Sequence, residues 1–111
     1  MREALIILPK HDNHGHDLTE VRKATLTRMV DAFGGCTVRE ARGYWLHDGQ
    51  LFDEPVTELV SAYAPTEFND DTLRDIATQA GHAAKQLAMY VRFASGDVEL
   101  VNTAPAYADA A

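Results

Sequence analysis

The sequence is poor in cysteine, in basic residues and in long apolar runs. Its one cysteine, Cys36, excludes an internal disulfide and predicts a small buried side chain in a strand. No apolar run approaches the ~18 residues that cross a membrane and no signal-peptide pattern opens the chain, so we expect a cytoplasmic protein. Ten Lys and Arg residues stand against 17 Asp and Glu, a net charge of −7. This balance argues against nucleic acid or an anionic membrane as the partner, because phosphate binding needs a basic stripe.

The composition is that of an ordinary globular domain, with 46% hydrophobic and 24% charged residues. We expect residues 1–111 to form a single domain, with a loose alanine-rich tail at 103–111. A domain of this length buries roughly two thirds of its unfolded surface, so self-association would help to complete the core. The negative charge is compatible with a cationic ligand and equally with plain solubility.

The pattern of apolar residues divides the chain into seven elements. Apolar residues at every position indicate a central strand, spacings of three to five indicate a helix, and alternation indicates a half-buried strand. The predicted elements are a strand at 4–8, a helix at 17–33, strands at 36–46 and 51–63, a second helix at 70–87, a strand at 89–94 and a short strand at 98–101.

Turn and cap residues set the boundaries of these elements. Pro9 ends the first strand, because proline cannot continue a central ladder. Asp17, with Glu20 three residues later, matches a capping box for the first helix, and one of the aspartates at 70–71 is the expected cap of the second. Asp-Gly at 48–49 is a strong hairpin signal between the two middle strands.

The element order β-α-β-β-α-β, plus a short extra strand, predicts an α+β fold of the ferredoxin-like, split βαβ kind. Short connections and right-handed crossovers favour an antiparallel sheet in spatial order 4-1-3-2, with both helices on one face. No helix then covers the opposite face, although the first strand is apolar on both sides. Because exposed apolar faces usually mark interfaces, we expect an oligomer, for which a trimer or a dimer would serve.

This topology gathers a candidate site at one edge of the sheet. The end of the first strand, Leu8 and Pro9, lies near the start of the third strand. The hairpin register places Tyr44 across from Asp53 and diagonal to Glu54. A carboxylate beside a phenol suits a cationic ligand, whereas the alternative is a polar strand end that keeps an edge soluble.

Other motifs give weaker signals. His11, His14 and His16 resemble a metal loop, but their spacing is not a standard one and no cysteine joins them, so we expect no metal site. The pair Tyr44-Trp45 suits stacking on a purine, with core or interface packing favoured. The sequence has no glycine-rich phosphate motif and no recognisable Ser-His-Asp set.

The sequence resembles those of the small phage enzymes that degrade S-adenosylmethionine, the SAM lyases formerly called SAM hydrolases. Four features carry this resemblance. The first is an apolar strand followed by a polar loop and a helix, ALIILPKHDNHGHDLTEVRKATLTRMVDAFGG. The second is Gly43-Tyr44, and the third is Asp53-Glu54, an acidic pair ten residues later at a strand start. The fourth is an amphipathic helix that leads to the aliphatic strand AMYVRF. The likeness spans about residues 4–95.

The resemblance implies a PII-like trimer that binds its ligand between subunits. It implies cleavage of S-adenosylmethionine to methylthioadenosine and homoserine lactone without a cofactor, which depletes the methyl donor of host restriction systems. By the motif match, Glu54 is the active-site carboxylate and Tyr44 its aromatic partner. Asp53 departs from the double-Glu form of some members, so either acid of the pair remains a candidate. The expected substrate-binding residues, from strand adjacency and this pair, are Leu8, Pro9, Lys10 and Asp53.

The implied reaction needs no protein nucleophile. The substrate's own carboxylate attacks its γ-carbon and closes a lactone, while the sulfonium departs as a thioether. Glu54 would then orient the substrate and balance the sulfonium charge rather than act as a base. The Tyr44 hydroxyl would hydrogen-bond the carboxylate of Glu54 or that of the substrate.

Two other classes of function fit the sequence. One is a non-catalytic PII-like module that binds a small molecule or a nucleotide, for which Lys10 and Arg42 are the only cations close to the expected cleft. The other is an acidic phage protein that inhibits a host nucleic-acid enzyme. The acidic residues are spread along the chain, whereas such an inhibitor predicts them on one face.

Overall fold

A computed structural model describes residues 1–103 as one antiparallel sheet with two helices. The elements are β1 (Arg2–Pro9), α1 (Thr19–Phe33), β2 (Thr37–His47), β3 (Gln50–Tyr63), α2 (Glu67–Ala83), β4 (Ala88–Arg92) and β5 (Val98–Asn102). The α+β class and the predicted order of elements are confirmed. Within the described residues, neither helix has the length and apolar character needed to cross a membrane.

The strands lie in the order β2-β3-β1-β4-β5. This order confirms the predicted 4-1-3-2 arrangement and adds β5 as an edge strand beside β4. Central β1 is antiparallel to both neighbours, and its Ile6 pairs with Leu59 on one side and with Val91 on the other. Such a position explains why β1 is apolar along its length.

The start of α1 differs from the predicted capping box. The N-cap position is Leu18, which supplies no side-chain hydrogen bond. Asp17 still holds the first turn, because its Oδ1 accepts the backbone N–H of Thr19 at 2.7 Å. Glu20 instead lies 3.7 Å from the ammonium of Lys23. The helix ends as predicted at Gly34, whose φ of 88° is the left-handed conformation that glycine adopts at low cost.

Helix α2 begins before the predicted aspartate cap. Its N-cap is Thr66, whose hydroxyl accepts the backbone N–H of Asn69 at 3.2 Å. Asp70 has a different role, since its carboxylate accepts the hydroxyl of Tyr63 at 2.7 Å. The helix ends at Ala83, four residues before the predicted end at 87.

The main core lies between the helices and one face of the sheet. Gly81 of α2 sits so close to Thr103 that an added Cβ would lie 2.6 Å from Thr103 Cγ2. Thr103 was expected in a loose tail but is buried, and its backbone N–H donates to the carbonyl of Leu87 at 3.0 Å. The rest of the predicted tail, 104–111, lies outside the described residues.

The opposite face of the sheet carries no helix in the described chain, as the sequence predicts. Leu5 and Val60 pair across β1 and β3 on this face, and Val98 and Leu100 of β5 are exposed at one edge. We call this surface the open face. Cys36 differs slightly from expectation, because it is half-buried just before β2, where desolvation raises the pKa of its thiol.

Candidate functional site

Strands β2 and β3 run past the end of β1 as a two-stranded ribbon, residues 42–55. Strand β1 pairs with β3 only over Val56–Tyr63, so the ribbon strands pair with each other alone. Asp48 and Gly49 close the ribbon with φ angles of 50° and 75°. Two consecutive positive φ angles fit a tight hairpin turn that Asp-Gly favours, which confirms the predicted turn.

The register within the ribbon decides which residues share a face. Tyr44 pairs with Asp53, as predicted, and Gly43 pairs with Glu54. Successive side chains of a strand point to opposite faces, so Tyr44 and Glu54 lie on opposite sides of the ribbon. A hydrogen bond from the Tyr44 hydroxyl to the Glu54 carboxylate, one of the two partners expected for this phenol, therefore does not form within one chain.

Asp53 has a partner on its own face of the ribbon. Its Oδ2 lies 2.9 Å from Nε of Arg42, the residue two positions before Tyr44. Asp53, and to a smaller extent Tyr44, raise the pKa of the Arg42 guanidinium. The charge of Asp53 is thus balanced within the chain, on the side of the ribbon away from Glu54.

Glu54 lines a cavity of about 570 Å³ on the open face, at the end of β1. Pro9 forms part of its floor, Trp45 of β2 lies on the ribbon side, and Tyr90 of β4 lies on the other side. The amides of Asn13 and Gln86 and several aliphatic residues complete the lining, and no Lys or Arg of the described chain contributes to it. The cavity therefore combines one carboxylate with aromatic and aliphatic walls.

The environment of Glu54 differs from that of an ordinary surface carboxylate. Desolvation by the cavity walls raises the pKa of Glu54, and His11 opposes this shift when it carries a charge. An ionised carboxylate in such surroundings favours a cation beside it, because the low polarity strengthens their attraction. Cation binding is the chemistry that this arrangement supports.

The remaining predicted site residues separate in the structure. Pro9 lines the cavity, whereas Leu8 is fully buried in the main core on the opposite face and offers no surface to a ligand. Lys10 forms an ion pair with Glu40, and its backbone N–H donates to the carbonyl of Pro55 at 3.3 Å. Leu8 is thus a wrong prediction for this chain's own cavity, and the ammonium of Lys10 is directed to Glu40.

Sequence reasoning missed several residues of the cavity. Trp45 was considered for stacking on a purine with packing favoured, and its position two residues after Gly43 puts it on the same face as Glu54 across the ribbon. Tyr90 and Leu100 pair with each other across β4 and β5 and bring that edge of the sheet to the cavity. Their lateral alignment with Glu54 depends on the register of β4 against β1, which no turn residue specifies.

Asp12 organises the loop between β1 and α1, which carries three histidines. Its carboxylate accepts the backbone N–H groups of His14 and His16 at 2.8 and 2.9 Å, and Oδ2 lies 2.9 Å from Nδ1 of His16. Desolvation is the largest single influence on the pKa of Asp12 and raises it, but these hydrogen bonds together outweigh it and lower the pKa to about 2. Within residues 1–103 no three His, Cys, Asp or Glu side chains form a metal-binding group. The ordered loop places Asn13 at the cavity wall.

Solved structures share this fold over almost its whole length. A phage SAM lyase in complex with S-methyl-5′-thioadenosine superposes with a TM-score of 0.69 and 16% identity, covering 93% of this chain and 90% of that one. A phage SAM lyase in the apo state gives 0.66 and 18%, covering 90% and 87%. These matches confirm that the chain has the fold that its sequence resemblance indicated.

A more distant match is a point variant of CutA1 from Pyrococcus horikoshii OT3. It has a TM-score of 0.54 and 10% identity, and covers 91% of this chain and 83% of that one. No protein-family model and no curated protein matches the chain. The structural likeness at these identities is one of fold, so the activity has to be argued from the site.

Proposed function

We propose that the protein cleaves S-adenosylmethionine to methylthioadenosine and homoserine lactone. The observation that carries this proposal is the position of Glu54 in an aromatic and aliphatic cavity without Lys or Arg among the described residues. Such a cavity suits a cation with an apolar body and disfavours a phosphate. S-adenosylmethionine has a sulfonium and an ammonium joined to a nucleoside, and the shared fold with phage SAM lyases supports the same substrate.

The reaction is balanced without water or a protein nucleophile. One oxygen of the substrate carboxylate forms a bond to the γ-carbon, and the bond from that carbon to sulfur breaks. The electron pair of the broken bond stays on sulfur, which becomes the neutral thioether of methylthioadenosine. Homoserine lactone keeps the ammonium, so no proton moves. The protein's task is to hold the methionine part folded for attack, which contributes to the rate through orientation.

In this scheme Glu54 binds and orients the substrate and takes no part in proton transfer. The sulfonium loses its charge as the carbon–sulfur bond breaks, so a contact to sulfur alone would favour the ground state. The ammonium keeps its charge throughout, and a carboxylate that binds it holds the reacting carboxylate in place at every stage. Glu54 therefore orients the substrate through its positive groups and is not a base.

A second copy of the chain completes the site in this proposal. Tyr44 is 62% exposed on the face of the ribbon away from Glu54, so its hydroxyl reaches a Glu54 cavity only in a neighbouring copy. The open face and the ribbon both expose apolar side chains that such packing would cover. We infer a cyclic trimer, in which each cavity receives the Tyr44 of its neighbour. Activity in a host cytoplasm would deplete the methyl donor of restriction systems.

Incubation with S-adenosylmethionine tests the proposed reaction. Chromatography should show methylthioadenosine and homoserine lactone in equal amounts, and none with Glu54→Gln. Asp53→Asn is the matched control, because it removes the adjacent carboxylate on the opposite face, and it should keep most activity. Binding of S-adenosylmethionine or ATP without any product would favour a PII-like binding module instead. No product at high protein concentration, or full activity of Glu54→Gln, would refute the proposal or the assigned role.

A further inference from the structure

Trp45 is held in a fixed orientation beside the Glu54 cavity. Its ring stacks on that of Phe52, its partner across the ribbon, with centroids 5.7 Å apart and ring planes 16° from parallel. The side chain is nevertheless 43% exposed, and it lines the cavity on the same face as Glu54. Packing against Phe52 thus orients the ring without covering it.

From this geometry we propose that Trp45 is a specificity-determining residue that binds the sulfonium of the substrate. The inference rests on the proposed function and assigns the sulfonium to a residue other than Glu54. An indole ring is the best aromatic partner for a cation, because its face carries negative charge density. Glu54 then binds the ammonium, and each positive group of the ligand has its own partner.

This division of roles separates the substrate from its product. Methylthioadenosine has a neutral thioether where the substrate has a sulfonium, so it loses the attraction to the ring. A cation–π contact of the usual strength favours the charged ligand about 2- to 30-fold. The ring therefore favours entry of substrate and release of the thioether. Because the sulfonium charge is lost as the carbon–sulfur bond breaks, this contact stabilises the bound substrate and does not speed bond breaking.

Binding of two ligands that the reaction cannot consume tests the proposal. Sinefungin carries a charged amine in place of the methylsulfonium, and S-adenosylhomocysteine carries a neutral thioether. Trp45 is the single tryptophan of the chain, so its fluorescence reports directly on the cavity. We expect sinefungin to shift or quench this emission. By calorimetry, sinefungin should bind at least about threefold tighter than S-adenosylhomocysteine.

Variants distinguish the ring from simple packing. Trp45→Leu should reduce the affinity ratio of the two ligands to near one, whereas Trp45→Phe should keep part of it. Phe68→Ala is the control, since Phe68 is an exposed aromatic residue of α2 outside the ribbon and the cavity lining, and it should leave the ratio unchanged. An unchanged ratio in Trp45→Leu overturns the inference while cleavage by the wild type leaves the proposed function in place. Absence of both cleavage and binding in the wild type overturns both.

Discussion

Tyr44 and Glu54 lie on opposite faces of one ribbon, although they belong to adjacent rungs of its ladder. The pairing of Tyr44 with Asp53 enforces this arrangement, and the ion pair between Asp53 and Arg42 occupies the Tyr44 side. A site that uses both the phenol and the carboxylate must therefore draw them from two copies of the chain.

Mixing two inactive variants tests this arrangement. Glu54→Gln and Tyr44→Ala should each be inactive alone, while co-assembled from equal amounts they should regain about a quarter of wild-type activity. The reason is that a quarter of the randomly formed sites combine an intact Glu54 with an intact Tyr44 from the neighbour. The rate of methylthioadenosine formation is the measurement. A mixture that assembles but stays inactive would show that both residues are needed from one chain.

The raised pKa of Glu54 predicts how activity and stability depend on pH. The carboxylate binds a cation only when ionised, so kcat/KM should fall as pH decreases, with an inflection above the usual value of 4.5 in the free protein. The folded chain prefers the protonated form. This contribution to stability is complete below pH 4.5 and is lost as pH rises through the raised pKa.

The same preference makes Glu54→Gln a stabilising change at neutral pH. Its neutral amide removes the cost of an ionised group in the cavity, and we expect Tm to rise by roughly 1–3 °C. Thermal unfolding of the two proteins at pH 7 and at pH 4 checks this, since the difference should shrink at the lower pH. A lower Tm for the variant at pH 7 would contradict the expected sign.

Thr57 is a fully buried residue whose Oγ1 has no hydrogen-bond partner among residues 1–103. Thr57→Val removes the unsatisfied hydroxyl with little change in volume and should raise the free energy of unfolding by about 1 kcal/mol. Thr25→Val is the control, because the Thr25 hydroxyl donates to the carbonyl of Val21 at 2.8 Å. Loss of this hydrogen bond should not raise the free energy of unfolding. Urea unfolding measures the free energy of unfolding of both variants. Equal changes in the two would contradict the claim that the unpaired Thr57 hydroxyl destabilises the fold.

Gly81 is required for close packing of α2 against the end of β5. An added Cβ would lie 2.6 Å from Thr103 Cγ2 and 2.8 Å from Met89 Cγ. Gly81→Ala should therefore lower the free energy of unfolding by about 1–3 kcal/mol, although alanine is the better helix former. Gly35→Ala, where the Cβ would meet nothing within 4 Å, should have little effect in the same denaturation experiment. Equal unfolding midpoints for the two variants would contradict this account.

Local patterns were sufficient to predict the sheet order and the hairpin. The apolar run of β1 and the Asp-Gly turn each depend on a few neighbouring residues, and right-handed connections limit the rest. The cap of α2 was wrong because Asp70 looks like a cap in sequence, whereas Tyr63 binds it in the folded chain. A tertiary partner of this kind leaves no mark in the spacing of residues.

The candidate site shows the same contrast between local patterns, which the sequence reveals, and tertiary contacts, which it does not. The register of Tyr44 with Asp53 followed from the turn, but the expected cluster of Tyr44 with Glu54 overlooked period-two alternation, which puts Glu54 on the other face. Tyr90 could not be located, because β4 meets β1 after a helix rather than through a tight turn. The position of Tyr90 beside Glu54 depends on the register of β4 against β1, which the packing of the helices on the sheet determines.

The ribbon beyond β1 has a consequence for how assembly can be observed. Backbone amide groups at 50–54 pair only with β2, whereas β1 lies beside the rest of β3 and protects it from solvent. Their exchange with deuterium should therefore slow when a neighbour docks and quicken on dilution. The exchange rate of the ribbon amides would thus report the extent of association between chains.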